Sequence, residues 1–328
     1  GNGTLVNADR GLEEAYCAAI TKSLTQQNTK TRIAYTPLHG VAMRLIQKSF
    51  TKAQAGELIP VKTQMVPDAD FPTVSFPNPE EHGVMDSVID LAKASNADLA
   101  LANDPDGDRL AVAIPTLSGD WRLLSGDEIG ALLFNHVARK TSGNNRKVVT
   151  TIVCSKLVSK IASNHGVEHA TTLTGFKWII PAAYNDSSLQ PIFCYEEALG
   201  YATNTAVRDK DGISAALMMA ELTAALKEQG QTLEDELEAL SLEYGHHVTK
   251  TWRVRFNSDK SSNVIPKVMQ HLRANPLSTV NQMKVLEVKD YLFQDNETGL
   301  PSTDLIVIKI ENNVRISIRP SGTEPMIK

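Results

Sequence analysis

Two short apolar runs in this chain flank a loop that contains three aspartates. The runs, residues 99–102 and residues 110–114, have the length and composition of buried strands. Residues 103–109 between them read Asn-Asp-Pro-Asp-Gly-Asp-Arg, and both Pro and Gly bend a chain. The sequence therefore predicts two buried strands joined by a tight acidic loop.

The segments around this loop predict an alternation of strands and helices. Residues 33–35 predict a strand, residues 41–50 predict a helix, and the apolar residues of 84–92 are spaced for a second helix. This order indicates a sheet with helices on its faces. The next part of the chain repeats the order, with strands expected at 148–154, 168–172 and 192–195 and helices at 155–164 and 212–228.

The last part of the chain predicts a different kind of domain. Apolar residues alternate over 305–310 and over 314–318, which predicts a hairpin with one buried face, and a helix over about 261–274 would pack on that face. The expected fold class is α/β, with two similar mixed α/β domains followed by a small α+β C-terminal domain. The expected domains are residues 1–120, 121–244 and 245–328.

Composition excludes several classes of function. The formal net charge is −5, and Lys and Arg are scattered along the chain, which disfavours a general nucleic-acid surface. The three cysteines have neither metal-ligand nor redox-motif spacing, and their odd number argues against a disulfide framework, so we expect a cytoplasmic protein. No apolar run predicts a membrane span and no signal peptide is visible, so we expect no membrane partner.

The acidic loop is a candidate metal site. Asp104, Asp106 and Asp108 alternate along it, so their carboxylates can converge on one hard cation. Mg²⁺ takes oxygen ligands and keeps positions for water or phosphate, so Mg²⁺ is the expected cofactor. An EF-hand counted from Asp104 would need Gly and Glu where the chain has Arg109 and Pro115, which excludes that motif. The alternative is an acidic turn at a strand end that binds no ion.

Two segments are candidate anion sites. The Arg109 guanidinium suits a phosphate that also touches the metal, although a salt bridge to a neighbouring aspartate is the alternative. Residues 319–325 read Arg-Pro-Ser-Gly-Thr-Glu-Pro, and side chains and backbone N–H groups of such a turn can cradle a phosphate. An ordinary strand-to-loop turn is the alternative here. The candidate residues of this segment are Arg319, Ser321, Gly322, Thr323 and Glu324.

Two further segments are candidates for contacts with a polar ligand. Glu196 and Glu197 follow a short apolar strand, and strand ends in α/β units are where ligands bind. Adjacent carboxylates could accept hydrogen bonds from sugar hydroxyls, whereas the alternative is a solvated turn followed by the start of a helix. Gly175 and Lys177 lie in a predicted loop, in which we expect Trp178 to belong to the core.

Three polar features are interpreted as structural. Ser125 and Glu128 fit a capping box at the start of a helix. Residues 209–212 most simply cap the helix that follows. A lone histidine such as His39, in a predicted strand-to-helix loop, is expected to make a structural hydrogen bond.

These motifs, and their order along the chain, resemble those of the α-D-phosphohexomutase superfamily, which includes phosphoglucomutase, phosphomannomutase and phosphopentomutase. The resemblance covers nearly the whole chain, and it implies repeated α/β domains of one topology followed by a small α+β domain. It implies that the three aspartates bind Mg²⁺, that Arg109 contacts a phosphoserine, and that Arg109 and Lys177 are catalytic. It also implies substrate contacts from Gly175, Lys177, Glu196, Glu197, Arg319, Ser321, Gly322, Thr323 and Glu324. Ala198 departs from the family pattern, because many members have Ser there.

The phosphoserine loop of the family's first domain has no counterpart in this sequence, and we interpret residues 162–166, a superficial echo of it, as a helix C-cap. The chain is therefore expected to be a fragment, with the N-terminal domain of the same protein as its partner. The resemblance implies that the complete enzyme interconverts sugar 1-phosphates and 6-phosphates through a phosphoserine and a bisphosphate, and that this fragment is inactive alone. Alternatives are a non-catalytic module that binds a hexose or pentose phosphate, a phosphopentomutase, and a metal-dependent phosphatase.

Overall fold

The computed structural model describes residues 10–25, 29–116, 118–256, 258–293, 299–322 and 325–328. The chain divides into two compact units, Gly1–Val248 and Thr249–Lys328. Among the described helices, none is both long and apolar enough to cross a membrane.

The first sheet of the first unit has a parallel centre and an antiparallel edge. Its strands lie in the order β2-β1-β3-β4-β5, with β2, β1 and β3 parallel and the next two pairings antiparallel. Parallel neighbours need crossover connections, which the intervening helices supply. The elements are α1 (Arg10–Thr21), β1 (Arg32–Thr36), α2 (Met43–Ala53), β2 (Glu57–Pro60), α3 (Asp86–Ser95), β3 (Leu99–Ala102), β4 (Ala111–Pro115) and β5 (Trp121–Leu123).

The second sheet repeats this pairing. Its order, β7-β6-β8-β9, is that of β2-β1-β3-β4, again with one antiparallel strand after three parallel ones. The prediction of two similar mixed α/β domains is thereby confirmed. The elements are α4 (Gly126–Lys140), β6 (Arg146–Thr151), α5 (Leu157–Asn164), β7 (Glu168–Thr172), α6 (Phe176–Ala183), β8 (Gln190–Glu196), β9 (Gly200–Ala202), α7 (Gly212–Glu228) and α8 (Leu233–Tyr244).

Helix α7 joins the two sheets. It contacts β3 of the first sheet and β9 of the second, and nearly all of its residues are buried. The run Ala-Ala-Leu-Met-Met-Ala places apolar side chains on every face of this helix. A helix of this kind is stable only when it is buried on all sides. One continuous core therefore runs through the unit, from Ile33 in β1 through Met219 in α7 to Phe193 in β8.

The helix termini follow the capping chemistry expected from the sequence. The Ser125 hydroxyl accepts from the Glu128 backbone N–H, and the Glu128 carboxylate accepts from the Ser125 N–H, which completes the capping box of α4. At the end of α5, Gly166 has a φ of 61° and the Val167 N–H donates to the Ala162 carbonyl at 2.8 Å. This is a Schellman C-cap, which confirms the interpretation of residues 162–166.

Two predictions for this unit were wrong. Strand β6 ends at Thr151 rather than at residue 154, because the chain turns after it. The predicted loop after Gly175 is helix α6, which contains Pro181 yet still forms eight helical residues. The helix start given as an alternative after Glu197 is also absent there, because the chain forms the short strand β9, which pairs with β8.

The described part of the second unit consists of antiparallel strands and one α-helix. A four-stranded sheet has the order β11-β12-β13-β14, and β10 pairs separately with β15. Within the described residues, Met269 of the helix is fully buried against Ile306, Ile308 and Ile310, so the predicted packing of helix on hairpin is confirmed. The elements are β10 (Val254–Arg255), α9 (Ser258–Ala274), β11 (Thr279–Val280), β12 (Met283–Asp290), β13 (Ile306–Ile310), β14 (Val314–Ile318) and β15 (Met326–Ile327).

The hairpin itself differs from the prediction in one respect. Strand β13 lies between β12 and β14, and Val307 is buried as well as its neighbours Ile306 and Ile308. On the face that was expected to be open, Val307 is thus buried while Lys309 is exposed, so that face is covered only at Val307. The turn after it has Asn312 and Asn313 at φ values of 60°, a conformation that asparagine tolerates better than most residues.

Candidate functional site

The acidic loop lies at the carboxyl end of β3 and is closed by buried hydrogen bonds. Asn103 is fully buried; its amide donates to the Arg109 carbonyl at 2.6 Å and accepts from the Tyr35 hydroxyl at 2.8 Å. The Gly107 N–H donates to the Asp104 carbonyl at 2.9 Å, with Gly107 at a φ of 79°. These bonds hold the seven-residue segment as one tight turn.

Asp104 is the buried member of the three aspartates. Its side chain is 1% exposed and accepts from the Arg109 backbone N–H at 3.0 Å and from the Arg109 Nε at 2.6 Å. The salt bridge that the sequence left as an alternative for Arg109 is therefore present. It does not exclude a role for Arg109 in binding phosphate, because a guanidinium has five N–H donors and Nε is one of them.

The three carboxylates converge. One oxygen from each of Asp104, Asp106 and Asp108 lies within 4.8 Å of the others, and within the described residues no other group of three such side chains is close enough to share an ion. Partial burial, followed by the charge of Asp104, raises the pKa of Asp106. Burial likewise raises the pKa of Asp108, with further contributions from the other two aspartates. This crowding of like charge is what a divalent cation would relieve.

The loop between β1 and α2 packs directly on the acidic loop. A Cβ on Gly40 would lie 2.2 Å from the Pro105 carbonyl oxygen, so only glycine fits there. The Val41 N–H donates to the same oxygen at 2.8 Å. His39 is buried, with Nε2 2.8 Å from the Thr73 hydroxyl, and has the structural role expected for it.

The second sheet reaches the acidic loop through the turn after β8. Arg109 and Gly200 pair as an antiparallel bridge, and the Leu110 N–H donates to the Leu199 carbonyl at 3.0 Å. The turn itself places Leu199 at a φ of 66°. The backbone therefore joins the three aspartates to the strand end that carries Glu196.

Glu196 and Glu197 do not point to the same place. The Glu197 carboxylate accepts from the Thr151 hydroxyl at 3.2 Å and lies 3.9 Å from the Cys154 sulfur, inside the second sheet. Glu196 is buried beside Gly200, where a Cβ would lie 3.0 Å from its Oε1. The structure thus places Glu196 beside Gly200, which pairs with Arg109 of the acidic loop, and pairs Glu197 with Thr151 of β6.

The segment that contains Gly175 and Lys177 lies beside this turn. Gly175 is the N-cap of α6 at a φ of 110°. A Cβ on Gly200 would lie 3.0 Å from the Phe176 ring, the same distance as from the Glu196 carboxylate. Lys177 is exposed, with its Nζ 5.6 Å from the centre of the Trp178 ring. Trp178 is half-buried and packs at the helix start, so the expectation of a core residue is only partly met.

The structure adds a site residue that the sequence interpretation missed. Lys210 Nζ lies 2.6 Å from Asp108 Oδ2, so a lysine from the loop before α7 contacts the acidic loop. Burial lowers the pKa of the Lys210 amine, but the hydrogen bond and charge of Asp108 outweigh burial and raise it. The cap expected from residues 209–212 is also present, since Asp211 accepts from the Ile213 and Ser214 N–H groups. No local pattern distinguishes Lys210 from an exposed loop lysine.

The terminal anion candidates belong to the second unit. Arg319 exchanges two backbone hydrogen bonds with Lys328, at 3.0 and 2.9 Å, and the Ser321 N–H donates to the Met326 carbonyl at 2.9 Å. A Cβ on Gly322 would meet nothing within 4 Å. Thr323 and Glu324 lie outside the described residues. The described residues of this segment are thus held by backbone pairing between Arg319 and Lys328 and between Ser321 and Met326.

Two family models match the chain. One is described as phosphoglucomutase/phosphomannomutase, alpha/beta/alpha domain II, and matches residues 14–119. The other is domain III of the same description and matches residues 125–244.

Similar proteins include a Haemophilus influenzae protein named "Probable phosphomannomutase", which is 39% identical over 320 residues, 96% of this chain and 63% of that protein. The phosphopentomutase of Pongo abelii is 36% identical over 330 residues, 92% of this chain and 53% of that protein. The chain thus spans less than two thirds of the length of either relative. A crystal structure of a phosphoglucomutase/phosphomannomutase family protein from Burkholderia thailandensis has a TM-score of 0.65 at 20% identity, covering 96% of this chain and 59% of that one, and supports the fold alone.

Proposed function

This chain belongs to the phosphoglucomutase/phosphomannomutase family of the α-D-phosphohexomutase superfamily, and we propose that its protein is a Mg²⁺-dependent sugar-phosphate mutase. The protein would move a phosphoryl group between the 1- and 6-positions of a hexose phosphate through a phosphoserine and a bisphosphate. One observation carries the proposal. The converging Asp104, Asp106 and Asp108 are joined by backbone pairing to the turn that holds Glu196.

The donor set fits Mg²⁺. Three carboxylates from one short loop supply hard oxygen ligands on one side of an ion, and Mg²⁺ usually keeps its other positions for water and phosphate. When bound, the ion would stabilise negative charge on the phosphoryl oxygens. Asp104, Asp106 and Asp108 are the proposed ligands.

The chain's own residues would position the phosphoryl group. Phosphoryl transfer depends on alignment and charge stabilisation more than on covalent chemistry from the protein. Asp104 holds the Arg109 guanidinium by its Nε, which favours contacts between the remaining N–H groups and phosphate oxygens. Arg109 is the proposed catalytic residue at this side of the site, with Lys177 at the sugar side.

The sugar would lie against the segments around Gly200. We propose that Glu196, whose carboxylate lies beside Gly200, accepts hydrogen bonds from sugar hydroxyls. We propose that Gly175 and Lys177, which flank Phe176 at the same point, also contact the sugar. The hydrogen bond from Thr151 favours a supporting role for Glu197 over the substrate contact first proposed for it. The phosphate that does not move would bind Arg319, Ser321, Gly322, Thr323 and Glu324.

We propose three domains, residues 1–120, 121–244 and 245–328. We also propose a cytoplasmic location for the protein. The family matches at 14–119 and 125–244 support the first two limits. Because relatives with pentose and mannose names have similar identities, pentose phosphates are a second candidate substrate class.

An activity panel on the complete protein tests the function. Glucose, mannose and ribose 1-phosphates are incubated with the protein, with Mg²⁺ or with excess EDTA, and phosphorus NMR follows the position of the phosphate. We expect conversion of at least one substrate, only with Mg²⁺, and no free phosphate. Release of free phosphate would instead identify a phosphatase, and binding without conversion would identify a non-catalytic module. A polypeptide limited to residues 1–328 is expected to be inactive in the same assay.

A further inference from the structure

Lys210 connects the proposed metal site with the proposed sugar site. Its Nζ forms a 2.6 Å ion pair with Asp108, and both side chains are only partly exposed, at 24% and 28%. Its stem passes over Gly200, where a Cβ would lie 3.0 Å from the Lys210 Cδ and 3.0 Å from the Glu196 Oε1. One ammonium therefore lies within reach of two carboxylates, one from each site.

The charges around the acidic loop are unbalanced without an ion. Three aspartates face two cations, because Arg109 contacts Asp104 and Lys210 contacts Asp108. Addition of a divalent cation would reverse the sign of this sum. The ammonium on Asp108 would then face a doubly positive neighbour at short range, and that repulsion is strong in a partly desolvated site.

We propose that Lys210 neutralises Asp108 until a divalent cation binds, and that cation binding transfers the Lys210 ammonium from Asp108 to Glu196. This inference rests on the proposed function, since it needs the aspartates to bind the cation. No proton moves and no bond forms; a flexible side chain exchanges one carboxylate partner for another. Metal occupancy would thereby decide whether an ammonium is paired with the carboxylate that faces the sugar, and Lys210 would be a positioning residue.

The geometry favours Lys210 for this exchange over Arg109. Arg109 is fixed to Asp104 through its main chain and its side chain, and its carbonyl is held by Asn103. The ammonium of Lys210 has only a four-carbon stem to turn, and its three donors have no fixed plane. The Lys210 Cδ and the Glu196 Oε1 each lie 3.0 Å from the position that a Cβ on Gly200 would take, so the stem is already beside that carboxylate.

Calorimetric titration of the complete protein with MgCl₂ tests the exchange. Lys210→Met removes the ammonium that a bound ion must displace from Asp108. The Kd of this variant for Mg²⁺ should therefore be about three- to tenfold lower than that of the unchanged protein. Lys210→Arg keeps the charge and should stay within about twofold. Lys227→Met breaks an ion pair of the same 2.6 Å length, with Asp98, and should leave the Kd unchanged.

A double-mutant cycle tests the acceptor. Glu196→Gln should weaken Mg²⁺ binding in the unchanged protein more than it does in Lys210→Met, because only the former has an ammonium to relocate. An unchanged or higher Kd for Lys210→Met overturns the inference, and equal effects of Glu196→Gln in both backgrounds overturn the transfer to Glu196. If the unchanged protein binds no Mg²⁺, the proposed function fails, and the inference fails with it.

Discussion

Gly212 lies against the carbonyl oxygen of Arg109, at a distance that leaves no room for a side chain. A Cβ at this position would lie 2.3 Å from that oxygen and 2.4 Å from the Asn103 Nδ2. Gly40 makes the equivalent approach from the other side, where the Pro105 carbonyl is the obstacle. The acidic loop is therefore clamped between the first residue of α7 and the loop after β1.

Gly212→Ala should destabilise the protein and disturb the acidic loop. The new methyl group would overlap a backbone carbonyl and a buried amide, neither of which can move without breaking the Asn103 hydrogen bonds. We expect a loss of about 1–3 kcal/mol in the free energy of unfolding, measured by denaturant titration. Gly322→Ala, where nothing lies within 4 Å, is the control and should be neutral. Equal midpoints for the two variants would contradict the close approach.

Asp106→Asn should weaken Mg²⁺ binding without affecting the fold. Asp106 is the most exposed of the three aspartates, so the substitution removes charge with little loss of packing. Loss of one ligand charge should raise the Kd for Mg²⁺ by about tenfold or more, measured by calorimetry. Asp90→Asn, at an exposed position on α3, should leave the Kd unchanged. A variant that binds Mg²⁺ as tightly as the unchanged protein would show that Asp106 is no ligand.

The free energy of unfolding should decrease as the pH falls, because of His169. The histidine has an ordinary pKa of 6.5, and burial, with the nearby positive charge of Lys156, lowers its pKa in the fold to about 4. Between these values the unfolded chain binds a proton that the folded protein does not, so the free energy of unfolding decreases as the pH falls from 6.5 to about 4. The contribution is at most about 1.4 kcal/mol per pH unit.

Denaturant titrations at several pH values measure this effect. In His169→Gln the slope of stability against pH should be smaller over the same window, because the titrating group is gone. His82→Gln, at an exposed position, should keep the slope of the unchanged protein. Identical slopes for all three proteins would show that His169 is not the group responsible.

Much of the fold follows from local signals in the sequence. Helix α7 has the predicted bounds because Asp211 caps its start and its apolar run fixes its length, and β7 has the predicted bounds as well. Helix α6 was missed because Pro181 and the aromatic residues at its start argue against a helix, whereas packing against the sheet stabilises one.

Fewer of the residues of the candidate site than of the elements of the fold could be predicted from the sequence. Asp104, Asp106 and Asp108 alternate within one loop, so their convergence follows from local geometry. Lys210 lies far from Asp108 in the chain, and only the packing of α7 brings it there. Glu196 ends β8, and successive side chains of a strand point to opposite faces, so the divergence of Glu196 and Glu197 was predictable, whereas the contact of Glu197 with Thr151 was not.

Two substitutions, Glu196→Gln and Glu197→Gln, should show which glutamate contacts the substrate and which only makes a structural hydrogen bond. Glu196 lies beside Gly200, and loss of its charge should remove a charged hydrogen bond to the sugar, worth about 1.5–3 kcal/mol. We expect kcat/KM of the complete protein to fall by about 10- to 100-fold, with the free energy of unfolding little changed. In Glu197→Gln, the amide oxygen can still accept from the Thr151 hydroxyl at the same place, so kcat/KM should stay within about threefold. Steady-state kinetics with the preferred sugar phosphate measures both, and a larger loss in Glu197→Gln than in Glu196→Gln would reverse the two assignments.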